Sequence, residues 1–248
     1  MINKVFLILS ILNFSLLFSQ TKKNKLSIDS ITVQMKKSEG LINTFLKNDK
    51  LYFEINNTLL NKELLMVTRF SQFPGDYSSY INAGSKTAEN IISFKLKDNK
   101  IVLEKLAYTN VASGQDPIQI SVIKNNFPPI LAVFKIENKE KDRFLIDVSS
   151  YFMNDSPGFN LIRKSDKESF KIGSVDKERS FIDNANSFLN NTEIKNTLTY
   201  SANNLPRSNR SKTLSFQINH SIILLPDTLM QIRFSDKRIG WFSLKFGT

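Results

Sequence analysis

Short runs in which every second residue is apolar recur along most of the chain. Leu51, Phe53 and Ile55 alternate with Tyr52 and Glu54, and Ile92, Phe94 and Leu96 alternate with Ser93 and Lys95. Leu214, Phe216 and Ile218 alternate with Ser215, Gln217 and Asn219 before the apolar run 222–225, which Pro226 ends. A period of two marks strands with one face on a core. Asn48-Asp49 and Asp98-Asn99 sit where tight turns are needed, so 41–46 pairs with 51–55, and 92–96 returns as 101–106. Residues 64–70 are mostly apolar and read as a central strand buried on both faces. Further strands are expected at 118–123, 130–136, 144–148 and 193–201, with a charged turn over 137–142 and a basic loop over 203–212.

Two segments break this rhythm. Residues 147–152 run into a short helix before Pro157-Gly158. In 176–190, Phe181, Ala185, Phe188 and Leu189 have near-helical spacing, which predicts a second helix. Residues 26–37 read as a short helix or a linker, and 71–89 as a long surface loop. The expected fold is mainly β, an antiparallel sandwich or open barrel of hairpins with one or two short helices. The expected organisation is a leader over 1–19, a small β domain over 20–70 and a larger β-rich domain over 71–248.

The leader follows from the N-terminus. Lys4 precedes an apolar run over 5–18, then Ser19, Gln20, Thr21 and the basic run 22–25. This is the layout of a secretory signal cut after Ser19. Ser10, Asn13 and Ser15 interrupt the run, which is short for a membrane span. The protein is therefore expected to be exported, to the periplasm or beyond the cell, with no transmembrane segment after cleavage.

Composition removes several chemistries. There is no cysteine, which excludes disulfides, thiol catalysis and Cys-ligated zinc. The net charge of +11 is spread along the chain, densest at 22–25, 135–143 and 207–212. Such dispersion fits solvated loops, and no nucleic-acid partner is expected. The single histidine, His220, cannot supply a zinc-protease His-Glu-x-x-His pair. No Gly-x-Ser-x-Gly elbow accompanies it, and it reads as a strand residue on the polar face. The eight glycines form no phosphate loop. Glu54 and Glu104 are the carboxylates to consider as a glycosidase pair, but both fall at polar strand positions where solvated acids belong. Asp76, Asp116 and Asp155 do not form a calcium loop. Tyr77 and Tyr80, in the 71–89 loop, are the expected exposed aromatic surface. No catalytic, cofactor-binding or metal-ligating residue is assigned.

Three long segments carry a resemblance. They are 40–69 (GLINTFLKNDKLYFEINNTLLNKELLMVTR), 176–200 (DKERSFIDNANSFLNNTEIKNTLTY) and 220–242 (HSIILLPDTLMQIRFSDKRIGWF). In order and spacing they resemble the N-terminal half of secreted bacterial zinc-dependent metalloproteases of the metzincin type, where two domains of uncharacterised function precede the catalytic domain. The family's His-Glu-x-x-His helix lies downstream of the matching part. The resemblance thus implies a non-catalytic region with a scaffold, prosegment-like or substrate-positioning role, with zinc expected only in a separate or downstream catalytic domain that would be its partner, alongside a protein or peptide substrate. Ile239, Trp241, Phe242, Leu244 and Phe246 give the C-terminus an apolar, aromatic character, which agrees with a domain truncated there. The rival expectation is a stand-alone β-rich module of the cell envelope that binds protein or glycan through the loops 71–89 and 207–212.

Overall fold

The computed structural model describes residues 26–75, 77, 81–107, 117–205, 212–226 and 228. The expected leader, Tyr80, Asp76, Asp116, most of the basic loop 207–212 and the aromatic residues after 238 lie outside the described residues.

One antiparallel sheet dominates. Its strands are β1 (Lys36–Ser38), β2 (Asn43–Lys47), β3 (Lys50–Asn56), β4 (Leu64–Gln72), β5 (Lys86–Lys97), β6 (Lys100–Leu106), β7 (Ile130–Glu140), β8 (Arg143–Asp147), β9 (Ile172–Val175), β10 (Phe181–Ser187), β11 (Asn191–Ala202) and β12 (Thr213–Leu224). They lie in the order β1-β2-β3-β8-β7-β6-β5-β4-β12-β11-β10, and β9 pairs with β11 beside that path. The fold is mainly β, as the alternation predicts, and takes the open-barrel form. Short helices punctuate it: α1 (Ile28–Thr32), α2 (Gln119–Asn125), α3 (Ser149–Phe152) and α4 (Lys164–Ser169).

The sheet curls until its two ends meet. Where β10 approaches the β1–β2 corner, the Leu41 N–H donates to the Phe188 carbonyl at 2.7 Å. The Ser187 N–H donates to Ser38 Oγ at 2.8 Å, Lys36 Nζ donates to Asn184 Oδ1 at 2.8 Å, and the Ile182 N–H donates to Asp49 Oδ1 at 3.2 Å. The seam is therefore stitched largely by side chains rather than by a regular ladder, which leaves few bare strand edges there. Gly40 makes the approach possible, because a Cβ there would collide with the Phe188 backbone.

Two-residue turns join β2 to β3, β5 to β6 and β7 to β8, and the first residue of each is left-handed: Asn48 (φ 52), Asp98 (φ 53) and Lys141 (φ 46). Asn and Asp tolerate this conformation, so the first two turns are legible. Lys141 is not such a signal. The charged stretch expected as a turn over 137–142 is instead strand as far as Glu140. Its alternation continues through Phe134, Ile136 and Asn138, all buried.

Two other segments depart from expectation. The strand expected at 118–123 is helix α2, whose residues are not buried. Both neighbours of β6 are taken, by β5 and β7, so the segment cannot add beside the strand it follows. The helix expected in 176–190 is a 3-10 turn, Lys177–Arg179, followed by β10. A bulge between Ile182 and Asn184 shifts the pairing, so the buried residues fall at Ile182, Ala185 and Ser187. A three-residue step inside a strand imitates a helical period. Phe181, Phe188 and Leu189, which completed that pattern, are exposed.

Candidate functional site

The interior of the barrel is occupied by its own chain. After β8, residues 149–163 enter it and bury Tyr151, Phe152, Phe159, Leu161 and Ile162. Phe152 and Phe159 stack at 5.9 Å, and Tyr151 meets Phe159 edge-on at 4.8 Å. This segment brings backbone carbonyls into a dry space, where each needs a donor. The barrel wall provides them. Asn196 Nδ2 donates to the Phe152 carbonyl, Asn90 Nδ2 to that of Gly158 at 2.7 Å, and Thr87 Oγ1 to that of Phe159 at 2.9 Å. Gly158 turns the segment at φ +94 with Leu131 close to where a Cβ would stand.

His220 belongs to this wall. It is fully buried, which corrects the polar-face expectation. The phase of β12 explains why: Leu214, Phe216, Ile218, His220 and Ile222 all point inward. Its ring lies against Phe159 at 4.2 Å and Phe152 at 5.2 Å. Nε2 is 3.1 Å from Asn196 Oδ1, and Nδ1 is 3.1 Å from Thr68 Oγ1. Because the Asn196 amide nitrogen is spent on Phe152, its oxygen accepts from His220 Nε2–H, and Nδ1 accepts the Thr68 hydroxyl proton. Burial pushes the imidazole down to about 3, so it is neutral. Among the described residues no carboxylate bonds to it, so this relay orients a segment of backbone without the acid of a triad.

The two glutamates are not brought together. They lie on β3 and β6, three strand spacings apart or roughly 14 Å, beyond the reach of either glycosidase geometry. Neither is a solvated acid, which corrects that expectation too. Glu54 is buried with Asn43 Nδ2 at 3.0 Å and Arg143 Nη1 at 3.4 Å, and Glu104 is held by Lys95 Nζ at 2.6 Å. Arg143 also reaches Glu140 and Asp29, tying α1 to the outer face of the sheet. Asp155 accepts from Lys167 Nζ at 2.8 Å. Among the described residues, no group of three or more His, Cys, Asp or Glu is placed to hold a metal ion.

The accessible site is at the barrel mouth, where β4 gives way to β5. A cleft of about 560 Å³ opens between Phe70, Tyr77, Ile81 and 85–87 on one side and residues 160–166 on the other. Phe70, Ile81, Leu161 and Ile162 give it an apolar lining, and Ser85, Thr87, Asn160, Lys86, Arg163, Lys164 and Asp166 give it a polar one. Tyr77 is the keystone of one wall. It is buried, not the exposed aromatic expected, because its ring meets Phe216 edge-on at 5.1 Å and Phe170 at 5.6 Å. Its hydroxyl donates to Asp166 Oδ2 at 2.8 Å, and burial first, then that bond, raise its pKa. The loop of 71–89 is correspondingly shorter than expected, since β4 runs to Gln72 and β5 starts at Lys86.

The cations of the cleft differ in their commitments. Lys86 pairs with Glu89, and Lys164 lies 3.9 Å from Glu168. Arg163 is exposed and has no ion pair among the described residues. Sequence reading named one wall, the 71–89 loop, and missed the other, residues 160–166. The site's residues come from two stretches about eighty positions apart, and none of them stands in a recognisable motif.

Residues 27–73 match the family model described as Domain of unknown function (DUF5118), and residues 84–247 match Domain of unknown function (DUF5117). No curated protein and no solved structure matches the chain. The two matched segments share one sheet, since β3 pairs with β8 and β4 with both β5 and β12. They also share one core, in which Phe53 and Phe70 pack with Phe94, Phe152 and Phe216. With about two thirds of its length under the second model, the chain belongs to the DUF5117 family.

Proposed function

We propose that this chain is the non-catalytic N-terminal region of an exported, metzincin-like zinc metalloprotease, in which the barrel positions substrate for a separate catalytic zinc domain. The three resembling segments support the reading. The observation that carries it is the filled barrel. Residues 149–163 occupy the interior, so a ligand has no place inside, and the open cleft at the mouth is left to meet a partner. Small-molecule barrels keep an empty interior for their ligand; this one spends that volume on its own backbone.

The test begins with the DNA after the codon for Thr248. A reading frame encoding a His-Glu-x-x-His helix is expected there or in a neighbouring gene. The two polypeptides, co-expressed, should co-purify, and cleavage of a denatured protein substrate should fall when this chain is left out. A zinc domain that neither associates with the chain nor changes its rate in its presence would sink the reading. The alternative is a stand-alone cell-envelope module that binds protein or glycan. It is favoured by the contribution of Ile81 and Ser85, from the expected recognition loop, to the cleft wall.

A further inference from the structure

Three places on the described surface invite a ligand: the mouth cleft, the apolar flank around α2, and a notch in the barrel wall beside β7. In the mouth cleft Asp166, Glu89 and Glu168 already answer the cations, and Phe70, Leu161 and Ile162 are buried, so its lining selects no ligand. Nothing described indicates what would cover the α2 flank. The notch differs, because there a ladder stops short and leaves the place of one strand.

β7 has 11 residues and β8 only 5. β6 pairs with β7 over 130–135, whereas β8 pairs with it only over 136–140. β8 stops because Asp147 turns the chain. Its Oδ1 accepts from the Ser149 N–H at 2.9 Å, the Val148 N–H is spent on the Leu51 carbonyl at 3.0 Å, and α3 then buries Tyr151 and Phe152 in the barrel. The first half of β7 is left with one open edge. Ladder phase tells which groups face it. Lys97 and Lys100 close the two-residue turn between β5 and β6 and bond to each other, which points the odd positions of β6 at β7. Ile101 and Leu103 lie opposite Phe134 and Ala132, so those two face β6. Val133, between them, sends its N–H and C=O to the open side, where no group among the described residues bonds to them. A cleft of about 410 Å³ runs along this edge, and Ser150, Tyr151, Asn154 and Pro157 line it together with β7.

We propose that the notch takes an extended polypeptide strand, which adds to the open edge of β7 and exchanges both backbone hydrogen bonds with Val133. The inference rests on the substrate-positioning reading above and names the form in which the substrate is held. The volume falls within the range of about 300–1,000 Å³ typical of ligand clefts. An extended backbone repeats the donor and acceptor spacing that an open strand edge requires, and a glycan does not. The guest residue opposite Val133 faces outward beside it, and its two neighbours face the Phe134–Tyr151 pair, whose rings meet edge-on at 6.0 Å. Both positions favour β-branched side chains. Charge selects nothing here, since Lys135 and Glu137 have opposite signs and Asp147 is tied to Lys50 at 3.2 Å.

The experiment titrates the full nitrogen-15-labelled chain with a blocked pentapeptide of alternating Thr and Val, read by amide shifts. The Val133 amide should move saturably. Two further peptides carry N-methyl groups on the Thr amides or on the Val amides. A strand held by one edge uses only one of these sets, so one peptide should bind at least about tenfold more weakly and the other should keep its affinity. Equal behaviour of the two would overturn the proposal. Val133→Pro removes the open N–H without touching the β6 ladder and should weaken binding at least about tenfold. Ser150→Trp, which fills the notch from an exposed position and leaves β7 intact, should do the same. Leu189→Ser removes an exposed apolar side chain elsewhere and should leave binding unchanged. An equal loss in that variant would reduce the effect to surface stickiness and overturn the site. The same amide shifts on concentrating the chain alone would give the edge to a second copy and also overturn it. Because no zinc domain is present, the outcomes separate. Strand binding without zinc-domain association would sink the protease reading and leave this site, and association without strand binding would do the reverse.

Discussion

The barrel interior and the flank around α2 invert the usual placement of residues in opposite ways. Inside, Thr68, Asn90, Asn196 and His220 are polar and buried. Outside, Ile118, Ile120, Ile123 and Phe127 are apolar and exposed. The interior polar groups are explained by what was buried with them: a stretch of backbone that brought carbonyls and had to be met by donors. The flank has no such compensation among the described residues. Buried polarity here is thus a consequence of the inserted segment and stabilises it, while exposed apolarity contributes little to the stability of the fold. The difference teaches that hydropathy alone identifies neither the core nor the surface of a barrel that contains its own chain.

That contrast predicts a graded set of effects. The largest belongs to the inserted segment. Phe159→Ala removes a fully buried ring packed on His220, Tyr151 and Phe152, and should cost about 3–5 kcal/mol in urea unfolding. A loss below about 1 kcal/mol would mean the segment does not fill the barrel. Next comes Asn196→Leu, which deprives His220 Nε2–H of its acceptor and the Phe152 carbonyl of its donor. About 2–3 kcal/mol should be lost, because both orphaned groups stay buried.

The third effect is a pH dependence. Burial holds the folded imidazole of His220 at about 3, below the value near 6.5 of an unfolded chain. Its contribution is therefore whole above about pH 6.5 and declines as the pH falls, because the unfolded state takes up the proton first. The decline approaches about 1.4 kcal/mol per pH unit once below that value, until the folded imidazole protonates near 3. Unfolding midpoints compared at pH 7 and pH 5 should show it before most carboxylates titrate. His220→Gln should flatten the slope, and an equally steep slope in that variant would assign the effect elsewhere.

The smallest effect is expected on the flank. Ile120→Ser with Ile123→Ser should alter stability by no more than about 0.5 kcal/mol per site, since both side chains are mostly exposed. Thermal unfolding measures it. A cost of 2 kcal/mol or more would place the flank against another part of the chain and dissolve the contrast.

The sequence by itself determined the elements whose signals are local. Alternation placed β3, β5, β11 and β12, and Asn48-Asp49 and Asp98-Asn99 announced their turns, because a left-handed backbone selects those residues where it occurs. The tertiary structure decided what depends on distant partners. A bulge at Asp183 disguised β10 as a helix, and 119–125, which follows a β6 flanked on both sides by β5 and β7, formed a helix and not a strand. His220 stands in phase with Leu214, Phe216 and Ile218, so its inward direction was present in the pattern. Its tolerance of that position was not, since it rests on Asn196, Thr68 and a carbonyl from Phe152, which lies 44 residues from Asn196. Alternation states that two faces differ. Which polar side chains go inside is fixed only when the backbone they must satisfy has been folded in among them.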